Sequence, residues 1–404
     1  MPSLNDARDL VLRNVTVLGS ERVPLLDAVG RVLAEDVVAP WDMPFCDNSA
    51  MDGFAVRMAD CNDSLPLKVI GYVPAGGTTD APVQPGCAVK IMTGAPLPAG
   101  CEAVVPVEDT EEAGGFINLK ARVLPRQHMR FTGEDVKRGE VVLAAGAVVG
   151  PPQVSMIASF GRAFVSVHRA PRVAILSTGD ELVEVGEPLA PGKVINSNTL
   201  SLAAAVKQLG AIPVMLGIAR DNRECHREKM AEGLKADVLI TSAGVSAGDR
   251  DMVRGVLADL GVEQVFWRVD IKPGGPMTFG KKDEVPVFCL PGNPVATMIT
   301  FEEFVRPALL KMMGHTRVLK PLLNASLQEE VRKKPGKIKF LRVKLRSENG
   351  RYLAYSSGDQ NTGMLKTMLL ADGIALLPAD RTSFAPGDEI AVHLLADYTY
   401  LQES

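Results

Sequence analysis

Residues 241–253 read TSAGVSAGDRDMV. The apolar run Asp237-Val-Leu-Ile240 ahead of them has the make-up of a short buried β-strand, and Met252, Val253, Val256 and Leu257 behind them share one face of a helix. Glycines, serines and aspartates between a strand and a helix form a loop at the carboxyl end of the strand, which is where open α/β sheets bind their ligands. The alternation continues on both sides. Residues 173–176, 212–218, 238–241, 265–271 and 285–290 read as strands, and 200–209, 223–234, 252–260 and a long run from Pro294 towards Met313 read as helices. Strands separated by single helices imply right-handed crossovers and a mostly parallel sheet, so the expected centre is a three-layer α/β domain.

The flanks have other patterns. Residues 65–142 are rich in Gly, Pro and Val with few helical periods, which predicts a small β domain inserted between the mixed segments 29–38 and 153–158. Near the other end, the alternating runs 339–345 and 351–355 bracket Asn349-Gly350, a hairpin signal. With a further strand at 390–395, they predict a C-terminal β-barrel or sandwich.

Composition removes several function classes. A net charge of -4 lacks the basic footprint of a nucleic-acid binder. Six cysteines without a CxxC pair argue against a disulfide framework or a thiolate zinc site, and five histidines without HxxxH spacing give no support to a conventional zinc centre. The N-terminus has no signal pattern, and the longest apolar run, 141–149, is far short of the ~20 residues a membrane span needs. A cytoplasmic chain without membrane contact is expected.

Four loops at strand ends carry the candidate chemistry: 177–181 (STGDE), 219–222 (ARDN), 242–249 (SAGVSAGD) and 290–294 (LPGNP). Small residues such as Ser177, Thr178, Gly179, Ser242, Gly244, Ser246, Gly248 and Gly292 let backbone and hydroxyl donors approach an oxyanion, and the neighbouring carboxylates can hold a hard cation. Neither GxxxxGK[ST] nor a GxGxxG after a strand occurs, so this is no Walker loop and no dinucleotide fingerprint. Each residue also has a plainer reading. Asp221 could cap the next helix with Glu224 as its reciprocal partner, Asp249 and Asp251 could serve a helix dipole, and Asn293-Pro294 is a helix-start signal. Asp180 and Glu181 could belong to a solvated loop, and Lys272 in Lys-Pro-Gly-Gly-Pro276 is either an anion ligand or an ordinary surface lysine.

Taken in order, DNSAMDGFAV (47–56), MTGAPLPAG (92–100), GEDV (133–136), STGDEL (177–182), INSNT (195–199), AGVSAGDRD (243–251), KPGGP (272–276) and LPGNP (290–294) closely resemble the MoeA family of molybdopterin molybdenumtransferases, which includes the gephyrin E domain. The resemblance runs along nearly the whole chain. It implies an α/β domain of molybdopterin-binding type from 1–20 and 171–317, a linking domain from 21–46 and 137–170, a small β-rich domain at 47–136, and a C-terminal β-barrel at 318–404. It also implies an elongated homodimer with its cleft between subunits. The implied reaction takes adenylylated molybdopterin and molybdate, uses Mg²⁺, and yields molybdenum cofactor and AMP. Transient contact with molybdopterin adenylyltransferase or with cofactor-accepting enzymes is a further expectation.

Carried onto this chain, the implied catalytic residues are Asp52, Thr93, Asp135, Glu181, Asp221, Asp251 and Lys272. Glu181, Asp221 and Asp251 are the expected metal ligands. Ser177, Thr178, Gly179, Asn196, Ser242, Gly244, Ser246, Gly248, Pro291, Gly292, Asn293 and Pro294 are the expected substrate contacts. One departure is Gly275, which stands where some bacterial members carry a second lysine and implies less positive charge around the oxyanion. Two rival readings keep the same fold: a molybdopterin adenylyltransferase-like enzyme or phosphoester hydrolase, and a non-enzymatic scaffold that presents a groove of the C-terminal domain to a peptide.

Overall fold

The computed structural model describes residues 1–61, 65–244 and 252–395, which form two compact units. The first comprises Met1–Ala34, Val148–Gly150 and Phe164–Ser404. Its six-stranded sheet has the order Ile212–Ala219, Arg172–Thr178, Val238–Ser242, Val285–Leu290, Thr278–Lys282, Glu263–Phe266. The first four strands are parallel; the last two run antiparallel to their neighbours.

Successive residues of one strand enter different cores. Val173 and Ile175 pack with Leu202, Val206, Ile299 and Leu309 of the helices Ser197–Gln208, Pro294–Thr300 and Arg306–Met312, and with the N-terminal helix Leu4–Arg13. Ala174 and Leu176 pack instead with Met230, Val253 and Val256 of the helices Arg223–Gly233 and Met252–Asp259. A sheet covered on both faces favours apolar residues on consecutive positions, which accounts for the apolar runs 173–176, 238–240 and 285–290 in the sequence. The expected three layers are present.

The edge of the sheet differs from expectation. The stretch 265–271 is not one strand, because pairing ends at Phe266. Thr278–Lys282, not anticipated, folds back on Val285–Leu290 through Asp283, whose φ is 52°. As a penultimate strand with Lys281 and Lys282 half exposed, it lacks the apolar continuity of its neighbours.

The C-terminal part of this unit is a closed barrel. Leu322–Leu327, Arg351–Ser356, Ile338–Glu348, Gly373–Leu377 and Glu389–Leu394 pair in a ring, which removes free edges. Asn349 and Gly350, with φ of 48° and 74°, make the expected tight hairpin turn. The short strand Ile271–Lys272 leaves the α/β sheet and pairs in parallel with Ile338 and Lys339, joining the barrel to the ligand-facing end of the sheet.

A buried polar cluster also joins these parts. Glu303, in the π-helical turn Phe301–Val305, pairs with Arg8 of the N-terminal helix and accepts a hydrogen bond at 3.0 Å from His393 Nδ1 of the barrel. Burial, with Arg8 and Lys320 nearby, pushes His393 from 6.5 down to about 4. Glu303 is already neutralised by Arg8, so the imidazole remains neutral and serves as a donor. The unfolded chain takes up this proton as pH falls below 6.5, whereas the folded chain resists until about 4. The contribution is therefore complete above pH 6.5 and declines toward pH 4. Denaturant titrations are expected to show a loss on the order of 2 kcal/mol between pH 7 and 5 that is absent in His393→Phe.

The second unit comprises Glu35–Ala147 and Pro151–Ala163. Its six-stranded sheet has the order Ala103–Pro106, Gly53–Val56, Cys87–Ile91, Leu67–Val73, Phe116–Leu119, Thr110–Ala113, with apolar clusters around Phe54 and Val105 and around Ala55 and Val104. The sheet draws on residues 53–119, within the segment 47–136 expected to be β-rich. The flanks expected to form a linking domain do pair, but in two places. Ser20–Pro24 pairs with Phe164–His168 in the first unit, and Val37–Val38 with Val141–Leu143 in the second.

Candidate active site

A cleft of about 750 Å³ opens at the carboxyl ends of the parallel strands. Of the residues expected to touch substrate, Glu181, Asn196, Ser242, Gly244, Lys272, Pro291, Gly292, Asn293 and Pro294 line it. The barrel adds Lys337 and Thr362, which the sequence reading did not single out. Ser246, Gly248, Asp249 and Asp251 lie outside the described residues.

Some of the expected contacts also brace the cleft. Ser177, 1% exposed, donates from Oγ to Asn196 Oδ1 at 2.9 Å and lies 2.9 Å from Thr199 Oγ1. Asn196 caps the helix Ser197–Gln208 through Thr199 N. With Thr178 2% exposed, the side chains of Ser177 and Thr178 are removed from the cleft and brace it from behind. Gly179 also acts through conformation. Its φ is 139°, and a Cβ there would collide with the Glu181 carboxylate, which folds back over this backbone. At Gly244, φ 75°, a Cβ would strike Val253 and come within 3.0 Å of Thr178 Oγ1.

Asn198 was missed. Its Nδ2 donates at 2.8 Å to both Ser242 Oγ and the carbonyl of Gly292, tying two cleft loops together. Asn198→Ala removes both bonds and is expected to cost about 1–3 kcal/mol of loop order, read as a rise in KM with a smaller change in kcat. An unchanged KM would deny it this role. Asn293 also behaves differently from a simple cap. It occupies the cap position ahead of Pro294 but makes no capping bond, and its Nδ2 donates to Thr362 Oγ1 at 3.1 Å.

On the acidic side, Asp180 Oδ1 accepts from the Asp221 backbone N–H at 3.1 Å, while Lys193 and Arg220 donate to the carbonyls of Asp180 and Leu182 and hold the loop. The helix cap is Asn222, which accepts from Cys225 N; the capping role considered for Asp221 is corrected by one residue. His226 is buried beneath, and burial lowers its proton affinity despite opposing fields from Asp221 and Asp180. These carboxylates are hard oxygen donors of the kind Mg²⁺ prefers. Among the described residues no three acid, His or Cys groups converge as a metal cluster, and Asp251, one of the three expected ligands, lies outside the described residues.

Two cations, Lys272 and Lys337, also line the cleft. Among the described residues, neither Lys272 nor Lys337 has a carboxylate within 4.0 Å. Lys339 is pushed below its ordinary value by burial and by Lys272, Lys333 and Arg342. Arg342 is fully buried and donates to Thr367 Oγ1 and to the carbonyls of Asp359 and Asn361, setting the loop that presents Thr362.

In the second unit, Asp52 Oδ1 accepts from both the backbone N–H and the hydroxyl of Thr93, each at 2.7 Å. These bonds hold the Asp52 carboxyl below its usual range. The hydroxyl of Thr93, one of the implied catalytic residues, is thus directed to Asp52. Asp47 repeats the arrangement with Thr132, at 2.8 Å for both bonds. Gly53 is required beside Asp52, because a Cβ there would collide with the Val105 carbonyl. Asp135 is exposed.

Comparison with known proteins follows the same layout. The MoeA N-terminal region (domain I and II) family matches residues 2–161, the probable molybdopterin binding domain family residues 174–311, and the MoeA C-terminal region (domain IV) family residues 324–395. The molybdopterin molybdenumtransferase of Haemophilus influenzae is 36% identical over 98% of this chain and 100% of its own. That of Bacillus subtilis is 34% identical over 94% and 90%. A crystal structure of the molybdopterin biosynthesis MoeA protein from Pyrococcus horikoshii OT3 superposes with a TM-score of 0.82 at 31% identity, covering 98% of this chain and 100% of that one.

Proposed function

The chain belongs to the MoeA family and is an enzyme of molybdenum cofactor biosynthesis, a molybdopterin molybdenumtransferase by kinship, and from that premise we propose that it inserts molybdate into adenylylated molybdopterin with magnesium-dependent release of AMP. The observation that carries this reading is the charge brought into one cleft: Lys272, Lys337 and Glu181 all line it, together with Gly244, Gly292 and Pro291 of the loops.

Lys272 binds the oxyanion and Glu181 orients the phosphoanhydride side of the substrate. Preorganised cations act most strongly where negative charge develops, as it does on both phosphates when the anhydride breaks. Glu181, Asp221 and Asp251 would hold Mg²⁺, which when bound neutralises phosphate charge. Ser177 acts behind the cleft, and Asn196, Ser242, Asn293 and the loop backbone contact the pterin substrate. Thr178 and Gly179 shape the same loop, and Ser246 and Gly248 are assigned to substrate contact with the glycine loop. Asp52, Thr93 and Asp135 are assigned to the reaction on the family resemblance. The enzyme works as a cytoplasmic homodimer and meets molybdopterin adenylyltransferase or cofactor-accepting enzymes transiently. No described helix is long and apolar enough to cross a membrane.

The test follows AMP from adenylylated molybdopterin, with magnesium and with molybdate or tungstate added in turn. Release that requires both cation and oxyanion supports the reading. Release indifferent to oxyanion makes the protein a phosphoester hydrolase instead.

A further inference from the structure

At its antiparallel edge the α/β sheet has two unlike faces. Phe279 and Phe288 turn to one of them and join the core that holds Leu202 and Ile299. Their neighbours Thr278, Gly280, Val287 and Cys289 turn to the other, paired as Thr278 with Cys289 and Gly280 with Val287. None of these four is bulky. A hollow of about 360 Å³ therefore remains between them, the edge strand Glu263–Phe266 and the helix Met252–Asp259.

Polar groups furnish the hollow. Thr278 lines it, is 6% exposed, and its hydroxyl has no hydrogen-bond partner among the described residues. A buried hydroxyl left unpaired is costly, and a ligand would supply the missing partner. At the rim, Arg254 Nε donates to Gln264 Oε1 at 3.0 Å, which fixes the carboxamide and leaves its NH₂ group as a donor. Gly255 adds a further sign. It stands inside a helix, where glycine is unfavourable, yet a Cβ there would meet only the Arg223 guanidinium, at 3.7 Å. Packing among the described residues does not demand this glycine, which keeps the helix backbone open to the hollow. With Leu257, Val262 and Val287 as apolar lining, the space suits a planar heteroaromatic ring whose edge carries hydrogen-bond acceptors.

The hollow lies close to the cleft. Cys289, at its floor, precedes Pro291 of the cleft by two positions, roughly 7 Å of strand. A substrate with two ring systems joined through phosphates can lie across this strand end with one ring on each side. We propose that the hollow receives the adenine ring of the adenylylated substrate, with Thr278 and Gln264 reading its edge, while the pterin and the phosphates stay in the cleft beside Lys272. This rests on the reading of the cleft given above. The ligand chemistry is a fused nitrogen heterocycle; the pterin is its other source, but as acceptor of the metal it belongs beside the oxyanion.

The experiment is calorimetry on the full chain with magnesium, titrating AMP, ribose 5-phosphate and molybdopterin that carries no adenylate. Gly255→Leu, which fills the hollow, is expected to weaken AMP binding about tenfold or more, and Thr278→Val, which keeps the shape and removes the hydroxyl, about threefold to tenfold. Ribose 5-phosphate and molybdopterin are expected to stay within about twofold in both variants. Melting temperatures check the fold, and leucine in place of a helical glycine should not lower them. Unchanged AMP affinity in Gly255→Leu overturns the inference and leaves the reading of the cleft standing. An equal loss for ribose 5-phosphate overturns it too, since the base would then lie elsewhere, and a loss confined to molybdopterin would give the hollow to the pterin. If the unaltered chain releases AMP from the adenylylated substrate but binds none, the inference fails alone; if it neither releases nor binds AMP, the reading and the inference fall together.

Discussion

Arg8→Ala is expected to destabilise the first unit by roughly 3–5 kcal/mol, the largest loss predicted for any single substitution outside the cleft. Arg8 is 9% exposed and its partner Glu303 3%, so removal of the guanidinium leaves a carboxylate in the interior with only the neutral His393 beside it. Burial lowers the Arg8 pKa to about 10, which still leaves it charged at neutral pH. The cost comes from the stranded anion and not from the worth of the pair, since a buried pair is itself weak support for a fold. Arg8→Met combined with Glu303→Leu is accordingly expected to recover most of the loss. Denaturant midpoints of the single and double variants measure this; a double variant as unstable as Arg8→Ala would mean that packing at the helix Leu4–Arg13, and not charge, dominates.

Glu181→Gln is expected to slow AMP release by about 10²–10³-fold with little effect on folding. The side chain is exposed, lines the cleft, and rests on the one loop residue, Gly179, whose lack of a Cβ makes room for it. An amide keeps the shape and removes the charge. The residual rate should respond less steeply to magnesium than that of the unaltered protein. Full activity in this variant would remove Glu181 from the chemistry and leave Asp221 and Asp180 as the acids to examine.

Much of this could be read in the residues because burial on both faces writes a plain signal. The segment 238–240 and the strand Val285–Leu290 are apolar, and small residues follow where loops must approach a ligand. What could not be read depended on contacts distant in sequence. Asn198 acts through partners 44 and 94 positions away. Lys337 reaches the cleft beside a two-residue strand at 271–272 that pairs with the barrel, and Thr362 on a loop held by Arg342. Ser177 and Asn196 have the residue types of ligands, yet hydroxyl and amide groups at a strand end can equally satisfy one another, and here they do. The cap is Asn222 and not Asp221, whose backbone N–H binds Asp180, a contact no local pattern announces. The antiparallel strand Thr278–Lys282 was missed for its polar edge composition.

The central claim is that this cleft couples loss of AMP to insertion of the metal. A single turnover with enzyme in excess over adenylylated molybdopterin, molybdate and magnesium, quenched over time, would give both AMP released and molybdenum bound to the pterin. The account predicts the two to rise together with one molybdenum per AMP, and AMP to remain unreleased when molybdate is withheld. AMP appearing at full rate without molybdate, or well ahead of any molybdenum in the pterin, would contradict it.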